Sequence, residues 1–425
     1  MTSTQDLLGA PGVAELGQAR PAASSDAIDG ALPRVVIEPG TSGQMAAALA
    51  WASRDGLQTV IRGRGTKMGW GRIPPAIDVV LSTAGLNAPV VHRHGDLTAT
   101  VAAGLTLSDV NRQLATQGQW LPVDSAFGHA TIGGLIATND SGPLRHRYGT
   151  PRDLLIGITL AMTDGRLVKS GGHVVKNVAG YDLGKLVSGS FGTLAAIVDA
   201  TFKLLPIPQT SRTVLARYTD HGALAKDVAA VSASQLDPVA FDVHVIFGRV
   251  PGQTNPPATL LVRFATSPEA TSAQADAARG LLTGGVEDLT GEREGALWAE
   301  QVRRPWTKAA VVVRLGWSPA SLGQVLDFLD EHCSGRTGAV ELVGRAGVGA
   351  GFLRFDAEDR DTERVIQALR SRQDLVSNVT VLVQSTSFKR TVDPWGAPSG
   401  PQVVVRALKR TFDPAGILNA GRGPI

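Results

Sequence analysis

The densest anion-binding candidate in the chain is Arg62-Gly63-Arg64-Gly65-Thr66-Lys67-Met68-Gly69-Trp70-Gly71. Glycines this close together remove the Cβ atoms that would keep backbone N–H groups from converging on one anion. Arg62, Arg64 and Lys67 add positive charge. A diphosphate is the natural ligand of such a loop, and an ordinary turn is the competing reading. The loop is not Gly-x-Gly-x-x-Gly and no helix opens directly after it, which disfavours a Rossmann dinucleotide site. Two other small-residue segments, Thr131-Ile132-Gly133-Gly134-Leu135-Ile136-Ala137 and Gly189-Ser190-Phe191-Gly192-Thr193, would let a planar group or a phosphate lie against backbone. Close packing explains both equally well.

Groups able to move a proton or grip a carboxylate lie further along. Between Thr210 and Thr386 the histidines are His221, His244 and His332, widely scattered. His244 sits in the apolar run Phe241-Asp242-Val243-His244-Val245-Ile246-Phe247 and is the candidate proton acceptor. Arg263 and Arg314 fall on predicted strands, where either could clamp a carboxylate through paired N–H donors. A core or surface histidine and a solvated strand arginine are the plain alternatives.

The elements that must position these residues alternate early. Strands are expected at Val35–Ile37, Thr59–Arg62, Asp78–Ser82 and Thr98–Ala103. Thr41-Ser42-Gly43-Gln44 matches a capping box ahead of an Ala/Leu-rich helix from Met45 to Arg54, and Thr106 to Asp109 opens a second helix ending near Gly118. A second lobe starts at Pro122. In it Leu154–Thr163 and Arg166–Lys169 flank Asp164-Gly165 as a hairpin, Gly180–Val187 reads as a short helix and Leu194–Leu204 as an apolar strand. From Thr210 the pattern becomes an antiparallel sheet with helices on one face. Its helices are expected at His221–Ser234, Glu269–Leu282, Pro319–Glu331 and Glu358–Arg372.

Over 425 residues, 43% are hydrophobic and 19% charged, enough apolar material for a sizeable core. The 41 basic and 38 acidic residues are mixed along the chain with no basic block, so nucleic-acid binding has little support. The single cysteine, Cys333, excludes an intramolecular disulfide, a multi-cysteine zinc site and an iron–sulfur cluster held by this chain alone, and fits a reducing compartment. Met1 to Ser25 has neither the basic nor the apolar region of a secretory signal, and no run reaches the ~18 apolar residues of a membrane helix. The expected location is the cytoplasm, with partner-mediated attachment to the inner membrane face as the alternative.

Taken in order, the pieces resemble a known family. They are Arg62-Gly63-Arg64-Gly65-Thr66; Ala130-Thr131-Ile132-Gly133-Gly134; Asn139 with Gly142; Tyr148-Gly149 with Asp153; Lys176-Asn177 with Gly180-Tyr181-Asp182-Leu183; Gly189-Ser190-Phe191-Gly192-Thr193-Leu194; and the tail Phe412-Asp413-Pro414-Ala415-Gly416-Ile417-Leu418-Asn419. This series resembles the FAD-linked oxidases of the vanillyl-alcohol oxidase type with a PCMH-type FAD-binding domain, above all the FAD-binding E subunits of bacterial glycolate oxidases (glycolate dehydrogenases). The likeness covers about Arg34–Pro208 and the last twenty or so residues.

The resemblance implies an α+β fold. A loosely ordered segment (1–27) would precede a two-lobed FAD-binding domain (28–209). A cap domain with an antiparallel sheet (210–400) would follow, then a tail returning to the FAD domain (401–425). It implies FAD extended between the two lobes. Arg62, Gly63, Arg64, Gly65, Thr66 and Lys67 would hold the diphosphate. Ile132, Gly133, Gly134, Asn139 and Gly142 would line the diphosphate and flavin, Ile197 and Val198 the adenine half, and Asn419 and Arg422 the isoalloxazine edge. Members with covalent flavin carry His at the place of Thr66, or a second-lobe Cys. Neither occurs here, which implies noncovalent FAD; His129 is the one residue that reopens the question.

Self-sufficient relatives carry a His-x-Gly-x-Gly-Asn motif in the cap, absent here. The implied role is therefore an FAD subunit of a glycolate-oxidising complex. In that complex a base takes the hydroxyl proton, a hydride passes to the flavin, and electrons leave through an iron–sulfur partner while a paralogous FAD subunit carries the main chemistry. The alternatives are a self-sufficient oxidase of another hydroxy acid or alcohol, and a structural subunit without flavin. Arg303-Arg304-Pro305-Trp306 is the candidate docking surface.

Overall fold

The computed structural model of the chain describes residues 3–173, 180–248, 258–333, 336, 338–397, 400 and 402–423. Lys176 and Asn177 lie outside the described residues. The chain forms two compact units, one made of Met1–Ser141, Thr150–Ile207 and Ala397–Ile425, the other of Gly142–Gly149 and Pro208–Gly396. The short excursion Gly142–Gly149 falls inside the stretch expected to be FAD domain throughout.

In the first unit Val35–Glu38, Val79–Ser82 and Thr59–Arg62 lie side by side in parallel, with Gln18–Pro21 as an antiparallel edge. Strands of Val and Ile buried from both sides are what parallel pairing needs. Helix Ser42–Arg54 buries Met45, Ala48, Leu49 and Ala52, one face at helical spacing. Its N-cap Thr41 accepts the Gln44 N–H at 3.1 Å. The Gln44 side chain, however, accepts from Gly40 rather than Thr41, so the capping box closes one residue early.

The second sheet runs Val91–Arg93, Thr98–Ala102, Ala196–Lys203, Leu155–Ala161 and Leu167–Gly171, all antiparallel, with the Asp164-Gly165 hairpin at its edge. The N-terminal segment is not loose. Helix Thr4–Leu8 is closed by reciprocal Ser3 and Asp6 hydrogen bonds, and Leu7, Val13 and Leu16 enter the core. Three spaced apolar side chains in an otherwise small and polar stretch suffice to anchor it.

The second unit is built on one eight-stranded sheet. Its order is Gly285–Leu289, Thr210–Tyr218, Ala258–Thr266, Ala240–Phe247, Val340–Arg345, Ala350–Phe355, Val311–Trp317 and Val376–Val383, antiparallel throughout. Helices His221–Ala233, Pro268–Leu281, Leu322–Cys333 and Arg360–Ser371 share a core with Val214, Phe241, Leu260, Val313, Leu342 and Leu353. Cys333 belongs to that core, where burial pushes its thiol up to about 12.

The expectation of helices on one face fails for Gly291–Arg303. Its Trp298 packs with Leu215, Ala240, Leu261 and Leu289, which alternate with the first set and so face the other side. That helix and the strand Gly285–Leu289 carry too many glycines and charges to be read as elements from pattern alone.

The tail Gln402–Arg422 docks in the first unit. Thr59 N–H donates to Ile417 O and Asn419 N–H to Thr59 O, both at 2.8 Å, extending the parallel sheet. The Asp413 carboxylate, 1% exposed as a residue, accepts from Ile417 N (3.1 Å), Leu418 N (2.8 Å) and Lys409 Nζ (2.6 Å). Asp413→Ala would orphan two buried N–H groups and a lysine. The expected cost is about 2–4 kcal/mol, read as a lowered urea midpoint together with faster proteolysis within residues 402–423. An unchanged midpoint would show that the tail is not held this way.

Candidate functional site

The glycine loop leaves the C-terminal end of Thr59–Arg62, the edge at which parallel sheets place their ligands. Gly65 has φ +75°, a left-handed conformation that L side chains avoid. Gly63 is dictated by contact instead, since a Cβ there would sit 2.2 Å from Thr131 Oγ1. Thr131 is the N-cap of helix Ile132–Thr138 and accepts the Gly134 N–H at 3.3 Å. At the other end of that helix Gly189 N–H donates to Ile136 O (3.0 Å) and Phe191 N–H to Ala137 O (2.8 Å). The three small-residue segments therefore meet. Between them lies a cleft of about 760 Å³, counting its open mouth.

Of the expected cofactor residues, Gly63, Arg64, Gly65, Thr66, Lys67, Gly133, Gly134, Ile197, Asn419 and Arg422 line this cleft. Five do not. Arg62 donates to Asp26 at 2.8 Å, an acid also gripped by Arg20 and held far below the ordinary carboxylate range by that hydrogen bond. Ile132 and Val198 point into the core, and Asn139 caps the helix C-terminus at φ +47°. Gly142 belongs to the second unit. Phe191, Ala195, Thr83 and Thr138 line the cleft without having been singled out as cofactor residues, although Phe191 stands inside a segment whose glycines marked it. No histidine or cysteine is among the described lining residues, and His129 is exposed elsewhere.

The loop's charges are unequally committed. Lys67 Nζ lies 2.8 Å from Asp140 Oδ2, both side chains almost fully buried, against the faces of Trp70 and Phe127. Arg64 is exposed and makes no ion pair with a described residue. The N–H groups of Arg64, Gly65 and Thr66 donate to no carbonyl among the described residues.

Asn419 and Arg422 line the cleft, but their polar atoms serve the scaffold. Asn419 Oδ1 accepts from Ile61 N (3.0 Å) while its Nδ2 donates to Phe191 O. Arg422 donates to the loop carbonyls of Met68 and Trp70, with Asp29 at 3.7 Å. Burial lowers the Arg422 guanidinium against the pull of Asp29.

In the second unit the candidate side chains are engaged. Arg263 Nε is 3.0 Å from Glu294, which also accepts from Ser211 and Thr213. His244 Nε2 lies 2.9 Å from Glu341, whose other oxygen takes Arg354. Burial depresses His244 more than the Glu341 hydrogen bond raises it, so it is neutral and its Nε2–H is the donor. Arg314 stands opposite Phe352 in the ladder. Trp306 packs on Phe352 with ring centroids 4.9 Å apart, and Pro305 is buried, so the candidate docking stretch is a helix end packed on the sheet.

Arg345-Ala346-Gly347-Val348-Gly349-Ala350 spaces two glycines as His-x-Gly-x-Gly-Asn does but begins with Arg and ends with Ala, so it is not that motif.

Because the folded chain holds His244 and the similarly desolvated His146 neutral, the unfolded chain binds more protons once pH falls below about 6.5. Stability is therefore expected to drop between pH 7 and 5. His244→Gln should flatten part of that slope in urea titrations at the two pH values, and an identical slope would contradict a neutral His244.

Residues 33–171 match the family model described as FAD binding domain. Over 92% of its length the chain is 27% identical to the glycolate oxidase subunit GlcD of Bacillus subtilis and 29% identical to a D-2-hydroxyglutarate dehydrogenase of Xanthomonas citri pv. viticola, covering 89% of each. Its fold is shared with an alkyldihydroxyacetonephosphate synthase, at TM-score 0.66 and 17% identity over 92% of this chain and 76% of that one. No helix among the described residues is long and apolar enough to cross a membrane. The chain carries an FAD binding domain at residues 33–171 and is an FAD-dependent oxidoreductase related to the 2-hydroxy-acid dehydrogenases and oxidases.

Proposed function

We propose that the cleft holds FAD noncovalently and that the chain is a subunit of a complex oxidising a small 2-hydroxy acid, glycolate, to the 2-keto acid. The carrying observation is the glycine loop: Gly65 at φ +75° and, among the described residues, three N–H groups without a carbonyl acceptor and Arg64 without an ion pair, all lining one cleft. These residues fit a diphosphate, whose oxygens accept from convergent N–H donors and a guanidinium. The apolar wall of Ile61, Phe191, Ala195 and Ile197 suits the flat rings of a dinucleotide. Among the described lining residues there is no histidine, cysteine or tyrosine to carry a covalent flavin bond, in keeping with the noncovalent reading.

Bound FAD would supply a two-electron acceptor. The chain's own part is to bind and orient it. The loop and Arg64 hold the phosphates, Gly133 and Gly134 allow close backbone approach, and the tail keeps the loop in shape from behind. In the second unit the neutral His244 donates Nε2–H to Glu341, which leaves Nδ1 as the nitrogen able to accept a proton.

The similarity to a glycolate oxidase subunit supports a multi-subunit setting. A chain with one buried cysteine has no cluster ligands of its own, so an iron–sulfur subunit and a paralogous FAD subunit are the proposed partners. The equally long match to a D-2-hydroxyglutarate dehydrogenase favours a second reading, a chain that turns over a 2-hydroxy acid by itself.

Gly65→Val would force a β-branched side chain into a left-handed conformation at a strain of about 1–3 kcal/mol and push the loop off the phosphates. The variant is expected to purify folded but without the absorbance bands near 450 nm typical of flavin. Full FAD occupancy at unchanged affinity would remove the loop assignment. The wild-type chain alone is expected to carry flavin yet reduce a dye slowly with glycolate, and to gain activity when the two partner subunits are added. Turnover by the isolated chain equal to that of the complex would select the second reading.

A further inference from the structure

The face of the eight-stranded sheet opposite the four packed helices carries most of the unit's buried charge. Most of it is closed on itself. Arg263 meets Glu294 and Arg354 meets Glu341, each in direct contact. Arg345 is different. It is 3% exposed, on the last position of Val340–Arg345, and shares the face of Val343 rather than that of Leu342, which lies in the helix-side core. Among the described residues its one carboxylate neighbour is Asp242, 4.0 Å from Nε and beyond hydrogen-bond reach, and Asp242 Oδ2 already accepts from Gln301 at 3.1 Å. The Nε is buried without a hydrogen-bond partner. What it does have is a flat platform, the Phe352 ring, 5.2 Å from Cζ.

A guanidinium taken out of water is costly unless its N–H groups are satisfied. Stacking on an aromatic ring recovers part of that cost and fixes the fork's plane, but it uses no N–H. An arginine left in this condition is prepared for a planar anion that accepts two parallel hydrogen bonds. Phe352 also has Arg314 opposite it in the neighbouring strand, on the same face by alternation with Val313 and Leu315, so a second positive charge lies across the platform.

We propose that Arg345, stacked on Phe352, is the carboxylate-binding residue of this chain and sets its preference for acids over neutral alcohols. The proposal rests on the 2-hydroxy-acid reading above. Arg263, a carboxylate-clamp candidate by sequence, is spent on Glu294 and cannot fill this role without releasing a buried acid.

The test uses the FAD-loaded full chain and the two-carbon dicarboxylate oxalate as probe. Binding is followed by equilibrium dialysis of labelled oxalate and by the shift in melting temperature. Wild type should respond, and Arg345→Met should bind oxalate at least 100-fold more weakly while keeping its flavin. Arg345→Lys, which keeps the charge but not the fork, should lose about tenfold. The melting temperature of ligand-free Arg345→Met should be unchanged or higher, because an unsatisfied buried charge has been removed. Equal oxalate affinity in wild type and Arg345→Met overturns the proposal and leaves the 2-hydroxy-acid reading standing. A wild type that holds FAD but responds to neither oxalate nor glycolate overturns both. Should Arg345→Met fail to fold, Arg345→Lys decides by its affinity. If both variants are destabilised, Arg345 is a brace for Asp242 and the proposal falls.

Discussion

Asn419 holds three parts of the first unit at once. Its backbone N–H completes the bridge to Thr59, its side-chain oxygen takes the N–H of Ile61, and its amide nitrogen reaches Phe191 O. The strand before the glycine loop and the turn across the cleft are thus tied by one side chain more than 200 positions away from either. Asn419 adopts φ +45° to do so, a conformation asparagine tolerates better than other non-glycine residues. Asp413 and Lys409 brace it from behind and Arg422 from the front, by gripping the carbonyls of Met68 and Trp70. Within the loop, Met68 N–H donates to Gly65 O (3.3 Å) and Trp70 N–H to Lys67 O (3.1 Å), while Arg422 holds the Met68 and Trp70 carbonyls. The back of the loop is thus fixed, and the N–H groups of Arg64, Gly65 and Thr66, which donate to no carbonyl among the described residues, are left for a ligand.

The same economy governs charge. Three cations mark the loop in sequence, yet Arg62 is spent on Asp26 and Lys67 on Asp140, leaving Arg64. Pairing the first two is what allows the loop to be buried against the sheet and against Trp70 and Phe127, since an unpaired charge there would cost more than the packing returns. The cleft wall is thus close to neutral, apart from one exposed guanidinium and a set of backbone dipoles. An anion bound there would be recognised by shape and hydrogen bonds more than by net charge.

Much of this was legible in the sequence because it is local. Val and Ile runs fixed the parallel strands, Thr41 and Thr106 marked helix starts, and Asp164-Gly165 marked its hairpin. Gly63 and Gly65 were legible as special, but not why: one is required by Thr131, nearly seventy residues away, and the other by its own φ. The direction of a side chain is set by tertiary partners, so Arg62 and Arg64, two positions apart and identical in type, could not be separated from sequence alone. The N-terminal segment and the helix Gly291–Arg303 were missed for a related reason. Both have weak intrinsic pattern and are stabilised by a few long-range contacts, through Leu7, Val13 and Leu16 in one case and Trp298 in the other.

The second unit makes the complementary point about what a polar sheet face is for. A single helix and a few apolar side chains cover part of that face, and the remainder is built of arginines and acids whose pairing is nearly complete. Such networks seldom add net stability over an apolar layer of the same volume. They persist where a polar surface has to keep its shape without water. Closed pairs such as His244 with Glu341 and Arg263 with Glu294 fix the positions of their neighbours, and an open group among them then becomes specific. Arg345 is open in that sense. Its strand is pinned on both sides by antiparallel partners, its ring platform is itself packed against Trp306, and Asp242 lies 4.0 Å away, too far to hydrogen-bond it. A closed pair at this position would have been as easy to build, since moving one carboxylate about 1 Å closer would complete the hydrogen bond.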